Sequence, residues 1–183
     1  MDVLSAHRFR GILVPTRATT QDGNSPKENS MTETTQSIEL PGWIQDHVRR
    51  YLASDGEDGH MWDASSAGGA GVFPTLLLTT VGRQSGEPRL LPLIYGTSES
   101  DHVIIASKGG FPQHPAWYLN LVAEPSVDLQ VGSEKFRARA RTAQGEERTR
   151  LWDAMVSVYP PYAEYQARAG REIPVVVLER VDR

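Results

Sequence analysis

The chain has 183 residues, 39% of them hydrophobic and 23% charged. That is enough for one globular domain and too little for two large ones. With 19 Lys and Arg against 23 Asp and Glu, the formal net charge is -4, which argues against a general nucleic-acid binder. The absence of cysteine excludes disulfide scaffolds, thiolate nucleophiles, iron–sulfur clusters and cysteine-based zinc sites, and no run approaches the roughly 18 apolar residues that span a bilayer.

Residues 1–40 differ in composition from the rest. Phe9 is the lone aromatic there, and between Pro15 and Ser37 only Met31 is large and apolar, so little burial is available to offset the entropy of ordering. The run Gly11-Ile12-Leu13-Val14 is too brief for a signal-peptide core. This segment is expected to be a disordered, non-catalytic extension, with Met31 as a second plausible start, and the folded domain is expected over residues 41–183.

From Pro41 onward, Trp43/Ile44, His47/Val48 and Tyr51/Leu52 recur at helical spacing. Residues 54–70, rich in Gly, Ser and Asp, read as a loop. The apolar run 75–80 predicts a buried strand, residues 82–88 a turn, and 89–95 and 102–107 two further strands in an antiparallel meander. Pro115 at the start and Pro125 just past the end bracket a helix over 115–123. Residues 127–131 and 135–141 flank Gly132-Ser133 as a hairpin. In its second strand Phe136, Ala138 and Ala140 alternate with Arg137, Arg139 and Arg141, one core face and one solvated face. An amphipathic helix follows over 146–158, with Leu151, Trp152, Met155 and Val158 on one side. Tyr159-Pro160-Pro161-Tyr162 breaks it, a short helix runs to Ala169, and 174–181 closes as a valine-rich strand. Six strands with flanking helices predict an α+β chain built on a small β-barrel.

Common chemical motifs are missing. There is no Gly-Lys-Ser/Thr triplet for a phosphate loop, and Gly68, Gly69 and Gly71 lack the spacing of a dinucleotide fingerprint. The histidines at 7, 47, 60, 102 and 114 never pair at helical ligand spacing, so no metal is expected, and no Gly-x-Ser-x-Gly elbow occurs. Glu57-Asp58 and Glu146-Glu147 read as a solvated loop and a helix start. What stands out is Thr79-Thr80-Val81-Gly82-Arg83-Gln84-Ser85-Gly86-Glu87-Pro88-Arg89, where two glycines allow backbone amides to face an anion and two arginines can grip phosphate or carboxylate. Ser107-Lys108-Gly109-Gly110 repeats that chemistry at the end of another strand. A plain hairpin accounts for Gly82 and Gly86 equally well. Trp117 and Leu121 share a helix face, as do Ala116 and Asn120, and simple packing explains Trp117. Tyr159, Tyr162 and Tyr165 recur every three residues, either as packed structural rings or as a pocket wall with hydroxyls to donate.

Taken together, Leu-Leu-Leu-Thr-Thr-Val-Gly-Arg-Gln-Ser-Gly-Glu-Pro-Arg, Ala-Ser-Lys-Gly-Gly, Pro-Ala-Trp-Tyr-Leu-Asn-Leu and Tyr-Pro-Pro-Tyr-Ala-Glu-Tyr resemble the deazaflavin-dependent nitroreductase family of actinobacteria, over roughly residues 70–180. The resemblance implies a split β-barrel related to flavin-binding (FMN-binding-like) barrels, with coenzyme F420 as cofactor. It implies that Arg83, Gln84 and Ser85 hold the phosphate and the start of the glutamate tail. Arg89, Leu90, Leu91, Pro92, Leu93 and Ile94 would run along the deazaflavin and its ribityl chain. Ile105, Ala106, Ser107 and Lys108 would form another edge, and Ala116, Trp117, Tyr118, Leu119 and Asn120 would close the groove. Tyr159, Tyr162 and Tyr165 would face the substrate pocket, with Tyr162 also touching the cofactor. Ser107, Tyr159 or Tyr162 would orient the acceptor or donate a proton.

The activity so implied is F420H2-dependent hydride transfer to an electron-poor small molecule, a quinone or nitro compound, in a cavity walled by the tyrosines and residues near Trp43. Alternatives are an FMN-dependent oxidoreductase on the same barrel and a deazaflavin-binding carrier without a substrate of its own. No nucleic-acid partner is expected. The chain is expected in the cytoplasm, with Trp43 and Val48 beside Arg49 and Arg50 as a candidate for weak contact with the inner face of the cell membrane. The oligomeric state is left open.

Overall fold

A computed structural model describes residues 40–181. The expected disorder of the head therefore falls, but for Leu40, outside the described residues. Among those described, helix α1 (Gly42–Ala53) leads into β1 (Met61–Asp63), β2 (Val72–Val81), β3 (Pro88–Ser98) and β4 (Asp101–Ile105). Helix α2 (Ala116–Ala123), the hairpin β5 (Ser126–Val131) and β6 (Glu134–Thr142), helices α3 (Gly145–Val158) and α4 (Pro161–Ala169), and β7 (Val175–Arg180) complete it.

All strand pairs are antiparallel, in the order β1-β2-β3-β4-β7-β6-β5. β5 returns to β2 through Leu77 opposite Gln130, Leu78 opposite Leu129 and Thr79 opposite Asp128, closing a six-stranded barrel. Closure gives each of the six strands a neighbour on both sides over part of its length and places β1 outside the ring as a short appendage.

Three details depart from the expected elements. Residues 54–70 are not all loop: Met61, Trp62 and Asp63 pair with Pro74, Phe73 and Val72. The Asp63 carboxylate then accepts the Ser65 amide at 2.8 Å to start a 3-10 turn, Ala64–Ala67. Three residues are too few for a period-2 pattern to register. β3 runs past Tyr95 to Ser98. β4 stops at Ile105, so Ser107 lies in a turn rather than a strand.

That last difference opens the barrel. Residues 88–94 of β3 pair with β2 alone, and β3 meets β4 only from Tyr95 opposite Ile104 to Ser98 opposite Asp101. β4 continues instead along β7, as far as Ile105 opposite Val175, and the Ala106 amide donates to the Pro174 carbonyl at 2.9 Å. The two strands part, leaving residues 88–94 on one bank and 106–110 on the other.

Two apolar layers hold the domain. Leu76, Leu78, Ile104, Leu129, Val176 and Leu178 fill the barrel with Trp117 and Leu121 of α2. Val103, Ile105, Leu151, Met155, Tyr162, Tyr165 and Ile173 form a second layer between the outer face of β4–β7 and helices α3 and α4. β4 and β7 are thus covered on both faces, which is why the run Val175–Leu178 shows no polar alternation. β6 keeps its alternation: Ala138 and Ala140 are buried while Arg137 and Arg139 are exposed. Arg141 bridges Glu179 and, through two bonds of 2.7 and 2.8 Å, Glu147.

Helix α1 is fastened by one residue. The fully buried Tyr51 hydroxyl donates to the Thr75 carbonyl at 3.1 Å and accepts the Gly132 amide at 2.8 Å. This joins α1, β2 and the β5–β6 hairpin. Gly56 sits beside the same hairpin with φ +92°, and a Cβ there would fall 2.2 Å from the Gly132 carbonyl oxygen. Gly56→Ala therefore meets both backbone strain and a backbone clash, and a loss of about 2 kcal/mol or more is expected in urea denaturation. A midpoint matching the parent would contradict this packing.

Burial also raises the ionisation of four tyrosines above their usual value. Desolvation is the main cause at Tyr51, Tyr95, Tyr162 and Tyr165, and neighbouring tyrosines add to it at Tyr162. Where the unfolded chain has released these protons and the folded chain has not, the unfolded state gains. These tyrosines leave stability level between about pH 8 and 9 and lower it as pH rises past about 10, which a urea midpoint followed from about pH 8 upward will show as a plateau and then a decline.

Candidate functional site

The first bank of the opening is the β2–β3 turn. Gly82 donates to Glu87 at 2.8 Å and Gly86 donates to Gly82 at 2.7 Å. Gly86 takes φ +72°, a conformation suited to glycine. The Ser85 hydroxyl accepts the Glu87 amide and the Arg89 guanidinium, both at 3.2 Å. Asn120 of α2 is buried at 4% exposure and spans two elements. Its carbonyl oxygen accepts both the Arg83 amide and the Arg83 guanidinium at 3.2 Å, and its NH2 donates to the Thr80 hydroxyl at 3.2 Å. One amide thus locks the turn to the helix, placing Arg83, Ser85, Arg89 and Asn120 in one cluster.

The second bank is the turn after β4. Ser107 is right-handed (φ −74°, ψ −39°), and Lys108, Gly109 and Gly110 follow at φ +50°, +63° and +79°. A right-handed residue followed by a left-handed one turns successive N–H groups into a concavity that suits an anion. Lys108 adopts that conformation at a cost that glycine would not incur. Gly110 is packed against α4 so closely that a Cβ would lie 3.0 Å from both the Cα and the carbonyl oxygen of Tyr165, and Arg168 of α4 donates to the Gly109 carbonyl at 2.9 Å.

Charge around the opening is left uncompensated. Among the described residues Arg83, Arg89 and Lys108 form no ion pair, whereas Arg49, Arg50, Lys135, Arg137, Arg141, Arg148 and Arg180 each have a carboxylate partner. Of the other described cations those seven are paired, whereas Arg139, Arg150, Arg168 and Arg171 are not, and Arg168 and Arg171 lie against the same second bank.

The tyrosines form one cluster, with ring centroids 4.9 Å apart for Tyr159 and Tyr162 and 6.2 Å for each of the other two pairs. They are not equivalent. Tyr162 and Tyr165 belong to the apolar layer under α3 and α4, whereas Tyr159 is half-buried. The Tyr159 and Tyr165 hydroxyls lie 3.3 Å apart. Tyr159 also meets Phe73 edge-on at 4.9 Å; Phe73 meets Trp62 at 6.4 Å, and Trp62 stacks on Trp43 at 5.6 Å. An aromatic wall runs from α1 through β1 and β2 to Tyr159. Trp62 and Phe73 escape the sequence reading because one sits in an apparent loop and the other just ahead of the expected strand. A tryptophan within a Gly- and Ser-rich stretch was the available signal.

The remaining expected residues divide. Leu91 and Leu93 pack into the barrel, while Leu90 faces a hollow of about 450 Å³ shared with Leu77, Thr79 and Gln130. All of 90–94 are half-exposed, consistent with an unpaired strand edge. Ile105 and Ala106 are buried, and Trp117 is core. Tyr118 shares a 3.1 Å hydrogen bond with the Thr142 hydroxyl. Gln84 and Ala116 are exposed, and Leu119 is half-buried.

The chain matches the family model for F420H(2)-dependent quinone reductase over residues 43–180. An F420H(2)-dependent quinone reductase of Mycobacterium tuberculosis is 34% identical over 155 residues, covering 78% of this chain and 99% of that protein. A solved F420-H2 dependent reductase is 44% identical over 58% of this chain and 94% of its own, with a TM-score of 0.55. A solved domain-swapped dimer is 39% identical over 75% of this chain and 97% of its own, with a TM-score of 0.57. The chain belongs to the F420H(2)-dependent quinone reductase family, whose oxidoreductase chemistry and deazaflavin cofactor are those implied by its motifs.

Proposed function

We propose that F420 seats between the unpaired edge of β3 and the Ser107–Gly110 turn, and that a quinone or nitro compound enters along the aromatic wall ending at Tyr159. One observation carries this: unpaired Arg83, Arg89 and Lys108, with an anion-suited backbone concavity, gather where the barrel strands part. These donors suit a flat cofactor that ends in a phosphate and carboxylates. When bound, the reduced deazaflavin supplies a hydride to the acceptor.

The protein's own residues bind and orient. Arg83 and Arg89 offer paired N–H groups to phosphate or carboxylate oxygens. Asn120 holds the Arg83 turn, Ser85 steadies Arg89, and Lys108 adds charge on the opposite bank. Gln84 extends the phosphate side, and residues 89–94 present main-chain groups along the open edge. Tyr159 is the tyrosine best placed to touch an acceptor, because Tyr162 and Tyr165 are sunk in the core. The Tyr165 hydroxyl, pushed up by burial, stays protonated and backs Tyr159 as a donor. Tyr159 thus orients the acceptor and supplies a proton as negative charge develops, with Ser107 at the other edge.

Membrane contact has less support. Arg49 is paired with Asp46 and Arg50 with Asp58, which removes the basic face that would attract anionic lipid. No helix of the described residues is long and apolar enough to cross a membrane. Trp43, at 40% exposure, stacks on Trp62 as part of the aromatic wall, so we assign it to the acceptor side.

Titration of the purified protein with F420, followed by fluorescence, should show binding, and Arg83→Ala should weaken it by roughly tenfold or more. Tight FMN binding without F420 binding would overturn the seat. Tyr159→Phe should lower kcat with a short-chain naphthoquinone by roughly 10²-fold while leaving F420 affinity unchanged. Undiminished turnover would return Tyr159 to a packing role.

A further inference from the structure

The strained turn at Ser107–Gly110 needs something to hold it, and its own hydrogen bonds are short-range: Gly110 to the Ser107 carbonyl at 3.0 Å and Phe111 to the Lys108 carbonyl at 3.2 Å. The longer-range hold comes from beyond α4. Gln166 fixes the chain there from both sides, donating to the Arg171 carbonyl at 2.7 Å and accepting the Ile173 amide at 2.9 Å. With its backbone pinned, Arg171 sends its guanidinium across to the turn. One terminal nitrogen donates to the carbonyls of Ala106 at 3.2 Å, Ser107 at 3.4 Å and Gln113 at 3.3 Å. Those carbonyls flank the turn at its entry and its exit, so a single group brackets it.

The chemistry of this bracket is unusual for a structural arginine. Its acceptors are neutral carbonyls, no carboxylate pairs with it among the described residues, and its Nε is buried without a partner. A half-buried guanidinium in such a setting carries a desolvation cost that no ion pair offsets. Its charge also remains uncancelled behind the backbone concavity of Ser107 and Lys108, adding positive potential where an anionic ligand would rest.

We infer that Arg171 is a positioning residue for the cofactor: it fixes the Ser107–Gly110 turn in its anion-accepting form and lends that turn a positive charge from behind. This rests on the cofactor seat proposed above. It also ties the turn to α4 independently of the Arg168 bond and the Gly110 contact.

Arg148 provides the comparison. Its guanidinium braces the same 171–173 segment from α3, donating to the Ile173 carbonyl at 3.1 Å and pairing through Nε with the Glu172 carboxylate at 3.2 Å, a charge partner that Arg171 lacks. None of these bonds reaches residues 106–113. Arg171→Ala, Arg171→Lys and Arg148→Ala should be compared with the parent by hydrogen exchange of the amides of 107–113 in cofactor-free protein, by F420 affinity, and by denaturation midpoint.

Arg171→Ala should exchange about tenfold faster across 107–113 and bind F420 roughly tenfold or more weakly, with the acceptor KM at saturating cofactor unchanged. Arg171→Lys should recover only part of both effects, because an ammonium lacks the planar group whose second terminal nitrogen, bonded to the Glu172 carbonyl, fixes the direction of the first. Arg148→Ala should lower the midpoint and leave exchange at 107–113 and F420 affinity unchanged. If Arg171→Ala merely loses stability as Arg148→Ala does, the inference is overturned; should the alanine variant not fold, Arg171→Lys against Arg148→Ala decides in the same way. Failure of the parent to bind F420 would count against the seat, and the exchange comparison would still show whether Arg171 sets the turn.

Discussion

β4 is too short to accompany β3 along its whole length, five residues against eleven. It is paired with β7 from His102 to Ile105, while β3 is paired with β2 from Pro88 to Ile94. After Ile105 the chain leaves the strand, so the β3–β4 ladder ends at Tyr95 opposite Ile104 while β3 continues along β2. Main-chain groups along residues 88–94 are left without a strand partner on that side, and unpaired backbone groups of this kind require water or a ligand. The chain then places its anion chemistry at this break: the Arg83 turn on one bank, the left-handed Lys108 turn on the other, with α2 and α4 buttressing each.

The buttresses share a design. Asn120 and Arg171 are both at least half-buried polar side chains whose bonds go to a turn rather than to their own element. A turn with positive φ residues is intrinsically loose, and such bonds restrict it before any ligand arrives, which lowers the ordering cost of binding. The tyrosine helix is joined to the same construction, since Gly110 rests on the backbone of Tyr165. The proposed cofactor and acceptor sides are therefore braced from one helix.

Much of this was legible in the residues alone. Alternation along β6, the paired prolines around α2 and the proline break before α4 carry their structure locally, and the expected barrel with flanking helices is present. The Arg83 and Lys108 turns were readable because glycine and arginine chemistry is local too. β1 was not, because three residues beside glycines carry no pattern. The status of the tyrosines was not, because equal spacing along the chain says nothing of which ring faces the core; α3 decides that by covering Tyr162 and Tyr165 and leaving Tyr159 half-open. Arg171 was invisible because its partners lie about 60 residues away as backbone carbonyls, which no side-chain motif announces.

Gly110 and Tyr165 meet with no room for even a methyl group between them. The proposed acceptor site consequently has one wall that cannot drift and one that can. Substitutions on α4 bear directly on the Ser107–Gly110 turn, so that face is constrained whatever molecule the site receives. Trp43, Trp62 and Phe73 stand on α1, β1 and the start of β2, and Phe73 meets the cluster at Tyr159. On the proposed reading, a change of acceptor preference has its freest path there, because Trp43 and Trp62 stand on elements outside the closed barrel.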